Sequence, residues 1–162
     1  MRFCYMELAE SDMQQTIKIR DMAEINQYRK ELRDKIIAYA MREFHQRGVK
    51  AVKMDEISRG LRVSKRTVYE IFGDKEELLL AGMKIERAEY KARVEEYALA
   101  HARNVMDVIG YIYRLQMERN QQVGVVFYEE IHRMPRILEF LKEEHDKEYD
   151  DSMRFFQAGV DE

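Results

Sequence analysis

Between Lys53 and Lys75 the chain gathers side chains suited to gripping a polyanion. Lys65, Arg66, Thr67 and Tyr69 lie within five residues of one another, Ser64 precedes them, and Lys53 and Lys75 flank the group. The chemistry of such a set is recognition. An arginine such as Arg66 can bond guanine O6 and N7 with two parallel N–H groups, a contact that separates one base from another. Lys65, Thr67 and Tyr69 can donate to phosphate oxygens, which fixes position without reading sequence. Lys75 is placed to share a phosphate with the backbone N–H groups of a helix N-terminus. Glu70 cuts the other way: its carboxylate repels phosphate, although it can accept from cytosine N4.

No competing chemistry is visible. His45, His101, His132 and His145 are scattered and show no metal-ligand spacing. No Ser-His-Asp arrangement, glycine-rich phosphate loop or zinc motif occurs, so neither an enzyme nor a cofactor or metal site is expected. The single cysteine, Cys4, has no internal disulfide partner. There is no apolar export signal and no run of 18 apolar residues, which predicts a soluble, cytoplasmic chain without a membrane partner.

The net charge of −3 conceals an uneven distribution. Residues 47–75 hold eight basic and four acidic side chains, whereas residues 118–162 hold six basic and twelve acidic ones. A basic patch on an acidic body suits a protein that meets a polyanion with one face. Chance clustering on a solvated surface would give the same count, so charge alone decides nothing.

The elements that must position these residues read as helices throughout. Of 162 residues, 46% are apolar, only one is proline and seven are glycine, and no alternation of period two is sustained. The fold class is all-α. Residues 1–27 show no clear apolar face and form an extension of uncertain structure. From Tyr28, the residues Leu32, Ile36, Ile37, Ala40, Met41 and Phe44 fall on one helical stripe that Gly48 closes. Met54, Ile57 and Leu61 define a short helix. Ser64 caps a second one that turns Val68, Ile71 and Phe72 inward. Asp74 and Glu77 form a capping box for a long helix beginning Leu78-Leu79-Leu80. Three further helices follow: from Asn104 to Asn120, from Gly124 to Arg133, and one entered through Pro135. The organisation is an N-terminal extension (1–27), a three-helix helix-turn-helix domain (28–78) and a helical C-terminal domain (79–162), to which only a family resemblance assigns ligand binding and dimerisation.

Residues 32–83 resemble the N-terminal domain of the TetR (tetracycline-repressor-like) family. The resemblance rests on Phe44-x-x-x-Gly48, on Met54-Asp55-Glu56-Ile57-Ser58, on Val63 through Tyr69, on Phe72, and on Asp74-Lys75-Glu76-Glu77-Leu78. It covers about a third of the chain. It implies an all-helical homodimer that binds a palindromic operator in double-stranded DNA and is released by a small apolar ligand. The family's DNA-contacting positions fall on Ser64, Lys65, Arg66, Thr67, Tyr69 and Lys75, and Lys53 stands where a phosphate is within reach. A pocket in the C-terminal half is expected from Met106, Ile109, Tyr113, Met117, Phe127 and Ile131, each of which alone also fits simple core filling.

The chain departs from the family pattern in four places. Lys53 replaces a common threonine, Arg62 a common glycine, and Glu70 a residue that is often histidine. Arg62 is therefore expected to hold a left-handed backbone. Family chains also continue some tens of residues further, so either the sequence is incomplete at its C-terminus or its dimer is built differently. The leading functional expectation is a ligand-released repressor. The alternatives are a DNA-binding architectural or adaptor protein of the same fold, and a ligand carrier or enzyme with a vestigial DNA reader.

Overall fold

The computed structural model describes the backbone of residues 2–160, and side chains for residues 20, 22, 24–148 and 150. Seven helices occupy the described residues: α1 (Arg2–Arg47), α2 (Met54–Leu61), α3 (Lys65–Ile71), α4 (Lys75–Ala100), α5 (Val105–Gln122), α6 (Val125–Ile131) and α7 (Pro135–Val160). The fold is all-α, with an N-terminal helix-turn-helix. None of the helices is long and apolar enough to cross a membrane among the described residues.

Helix α1 differs from the sequence reading. It does not begin near Tyr28 but runs unbroken for 46 residues. Residues 2–27 contain neither glycine nor proline. A helix can continue through good formers without an apolar face, because propensity needs no periodicity. Met22, Ile25 and Tyr28 are exposed, and core contact begins only at Leu32 and Ile36.

The core gathers around the second half of α1. Ile36, Ala40, Phe44, Val49, Val52, Ile57, Val68, Leu78 and Leu79 have no exposed surface. Helix α4 crosses α1 closely because Gly82 lies against Met41; a methyl group at residue 82 would collide with the Met41 thioether. Helix α4 then leaves the core and carries α5 on its second half, where the Tyr97 and Tyr111 rings stack 4.1 Å apart. Helix α6 returns the chain to α1. The Gly124 N–H donates to the His45 carbonyl at 2.8 Å, and the Phe127 ring meets the His45 ring edge to face at 4.8 Å. Pro135 opens α7, which buries Ile137 and Phe140 and is tied to α4 by the Arg87–Glu148 ion pair.

Candidate nucleic-acid interface

The turn between α2 and α3 fixes the geometry. Arg62 adopts φ 57° and ψ 36°, the left-handed conformation expected at a helix end. Its N–H donates to the Arg59 carbonyl at 3.1 Å, and the Val63 N–H donates to the Ser58 carbonyl at 3.0 Å, closing the last turn of α2. Ser64 then starts α3, its hydroxyl accepting from the Thr67 N–H at 3.0 Å and lying 2.7 Å from the Thr67 hydroxyl. Val68 and Phe72 lock α3 onto the core, and Phe72 also receives the Arg33 guanidinium 5.2 Å above its ring. With the inward side fixed, Ser64, Lys65, Arg66, Tyr69 and Glu70 are exposed and Thr67 is half-buried.

The charged members of this face are already engaged. The Lys65 ammonium bonds the Asp55 carboxylate at 2.9 Å, which raises its pKa, and it lies 5.8 Å from the Tyr69 ring centre. The Arg66 Nε donates to Glu70 at 2.7 Å, which likewise raises the Arg66 pKa. That bond uses Nε, so the two terminal nitrogens of Arg66 remain for a base edge. Lys53 caps α2 with an extended backbone and no side-chain hydrogen bond. Lys53 and Arg62 are exposed and make no ion pair among the described residues. Arg62 is a candidate phosphate contact that the sequence reading missed. Its mismatch with the glycine usual at that position drew attention to backbone strain and away from its charge.

Lys75 sits elsewhere than expected. Its ammonium turns inward and donates to the carbonyls of Val49 at 2.6 Å and Val52 at 2.9 Å, with Lys50 at 3.5 Å. Burial lowers its pKa, opposed by the carboxylates of Glu130 and Glu56. In this position Lys75 pins the 48–53 loop, and the same loop is held from α6, where Glu130 accepts from the Lys50 N–H at 2.8 Å. The capping box forms below it: Asp74 accepts from the Glu77 N–H at 2.7 Å, and Glu77 accepts from the Gly73 N–H at 2.9 Å.

Residues 36–81 match the family model described as bacterial regulatory proteins of the tetR family. This segment belongs to the tetR family. The tetR-family match opens at Ile36, the first buried residue of α1, and closes inside α4, so it brackets the helix-turn-helix and its supports. Among solved structures, the fold matches a protein from Saccharomonospora viridis classed as a transcriptional regulator, in complex with choline. The TM-score is 0.64 at 20% identity, covering 75% of this chain and 66% of that one. The chain thus spans slightly less than two thirds of that protein's length, and at this identity the likeness is one of fold. No curated protein matches the chain.

The six residues expected to line one pocket are not brought together. Phe127 and Ile131 are buried in the core at 0% and 3% exposure, whereas Met106, Ile109, Tyr113 and Met117 are 70%, 48%, 66% and 45% exposed on the outer side of α5. The physical reason is the orientation of α5, which turns Leu115 toward α4 and leaves the other stripe outward. The grooves beside α4 carry many charged side chains. One of about 200 Å³ lies between α4 and α5, lined by His45, Glu86, Glu89, Tyr90, Glu118 and Arg119 among others. There Arg119 donates to Glu86 at 3.3 Å, and His45 Nε2 lies 3.3 Å from the other Glu86 oxygen without hydrogen-bond alignment.

Proposed function

We propose that the protein is a sequence-specific DNA-binding transcription regulator that represses by occupying a palindromic operator as a homodimer and is released by a small ligand. The observation that carries this reading is the α3 face. It is capped, anchored by Val68 and Phe72, and presents Arg66, Lys65 and Tyr69 outward within a tetR-family segment. A helix of this size enters the major groove, and two such helices one helical turn apart read a palindrome. Ser64 and Thr67 spend their hydroxyls partly on the cap, so Arg66 is assigned the base contact. Lys53, Lys65, Tyr69, Ser64 and Thr67 are assigned to phosphates. Lys75 serves the interface by fixing the loop that carries Lys53, a role distinct from the phosphate contact expected of it.

The ligand is placed in the groove between α4 and α5. Its carboxylates Glu86, Glu89 and Glu118 exceed its guanidinium groups Arg93 and Arg119 by one, Glu86 being bonded to Arg119 and Glu118 paired with Arg93; that excess, with the Tyr90 ring, supports a compact cation as the ligand, and the regulator of similar fold was solved with choline. The test is fluorescence anisotropy on duplexes from upstream of the protein's own gene beside scrambled duplexes, at several salt concentrations. Selective binding with a steep salt slope is expected. Equal, weak binding to every duplex overturns the reading.

A second reading, an inducer-free DNA-binding adaptor, is favoured by the dispersal of the six predicted pocket residues. Thermal shift with choline and related small cations separates the two, since a ligand of the native state raises the Tm.

A further inference from the structure

Helices α1 and α3 enclose a groove of about 860 Å³ beside the reading face. The side of α1 that buries Ile36 and Ala40 continues backward at helical spacing through Leu32, Tyr28 and Ile25, and these three with Ile71 of α3 give the groove its apolar lining. Its α1 wall also carries three cations, Arg29, Lys30 and Arg33. All three are exposed, and none forms an ion pair among the described residues. Arg33 lies 5.2 Å above the Phe72 ring, which holds it against the end of α3.

Elsewhere α1 places its charges in partnership. Arg20 meets Glu24 at 3.7 Å, Gln27 donates to Glu31 at 2.8 Å, and Arg47 meets Glu43 at 3.3 Å. Arg29 and Arg33 instead stand one turn apart with like charge, an unfavourable pairing on a helix. An anion between α1 and α3 would relieve it. The two carboxylates of the groove are both engaged, Glu24 by Arg20 and Glu70 by Arg66 at 2.7 Å, and neither of those arginines lines the groove. The three α1 cations therefore set its sign.

We propose that this groove seats the phosphate backbone of the DNA that α3 reads, with Arg29, Lys30 and Arg33 as its contacts. The inference rests on the DNA-binding reading and extends its contact surface to α1. Charge is one observation that selects DNA as the occupant, because a row of unpaired cations matches a row of phosphates. Continuity is the other. Thr67 and Glu70 belong both to the groove and to the turn of α3 that carries Arg66, so a duplex held by Arg66 borders the groove. The apolar lining from Ile25 and Tyr28 suits the deoxyribose between phosphates. All three cations precede Ile36, where the family match opens, so that match assigns them no role.

Anisotropy titration over a range of salt tests the contact, on a duplex from upstream of the protein's own gene and on a scrambled one. Arg29→Gln combined with Lys30→Gln is expected to weaken binding to both duplexes by the same factor. The slope of log K against log salt is expected to become shallower by about two per chain, each phosphate contact contributing roughly 0.9. The circular-dichroism melt is expected to match the parent's, since both side chains are on the surface. Arg136→Gln combined with Lys142→Gln removes the same charge from exposed sites on α7 and is expected to keep the parental slope. Phosphate-ethylation interference locates the contact: at least one phosphate whose ethylation weakens the parent is expected to be indifferent for the α1 variant. A parental slope in the α1 variant, an equal loss in the α7 variant, or an unchanged ethylation map would each overturn the proposal. Equal binding to both duplexes, with the slope still reduced in the α1 variant, sinks the functional reading and leaves the groove assignment standing. Selective binding with an unreduced slope does the reverse.

Discussion

Arg66 and Glu70 form a contest within one helix turn. Glu70 holds the Arg66 Nε at 2.7 Å, and the same carboxylate is exposed on the face of α3, where it repels an approaching phosphate. Glu70→Gln is expected to tighten binding to all duplexes and to steepen the salt dependence by about one phosphate equivalent, read by anisotropy titration. Arg66→Ala is expected to flatten the preference between operator and scrambled DNA while leaving nonspecific affinity nearly intact. Lys75 belongs to the same scale with a different role. Lys75→Met leaves the Val49 and Val52 carbonyls without their donor, which is expected to cost about 1–3 kcal/mol in denaturant unfolding. A variant of unaltered stability with uniformly weakened DNA binding would restore Lys75 to the phosphate-contacting role.

Arg62 joins residue to element. Its left-handed backbone ends α2 and aims α3, and a non-glycine residue carries strain of roughly 1–2 kcal/mol there. Arg62→Gly is expected to raise stability by up to about 1 kcal/mol, since glycine recovers that strain less its own entropy. It is expected to weaken DNA binding at the same time, because a cation is lost beside α3. Stability gained with affinity unchanged would remove Arg62 from the interface. The closeness of α1 and α4 gives another element-scale test. Gly82→Ala is expected to destabilise the fold by about 1–3 kcal/mol through collision with Met41, measured by thermal melting. Much of this architecture was legible in sequence. The caps Ser64, Asp74 and Asn104, the stripe from Ile36 to Phe44 and the left-handed Arg62 follow from local rules that the chain obeys. The inward turn of Lys75 was not legible, because its carbonyl partners come from a loop 23 to 26 residues away. The burial of Gly82 was equally hidden, since a glycine inside a helix announces neither a neighbour nor empty space.

At the scale of the molecule, the division into a basic reader and an acidic body was visible in composition, and the arrangement of α5 was not. The family resemblance placed Met106, Ile109, Tyr113 and Met117 in a pocket, but residues that share one face of a helix look the same in sequence whether that face turns inward or outward. The orientation was settled by the opposite side of the helix, where Leu115 is buried and Tyr111 stacks on Tyr97 of α4. The early part of α1 escaped for a related reason. A helix without an amphipathic face leaves no periodic mark in the sequence, although 46 residues at about 1.5 Å each extend for roughly 70 Å.

The joint between α6 and the loop after α1 makes the molecule a reporter of its own internal state. Two amide protons close it, that of Lys50 on the Glu130 carboxylate and that of Gly124 on the His45 carbonyl. Neither belongs to a regular helix ladder, so separation of α6 from α1 exposes both to solvent while the surrounding helices stay intact. In heavy water these two sites should therefore exchange together, faster than the interior of α1 and at a common rate set by the opening of that joint. Glu130→Gln should speed the exchange at Lys50 without altering that of the α4 interior. The pair would register a ligand that loosens or tightens the joint before any change in DNA affinity is measured.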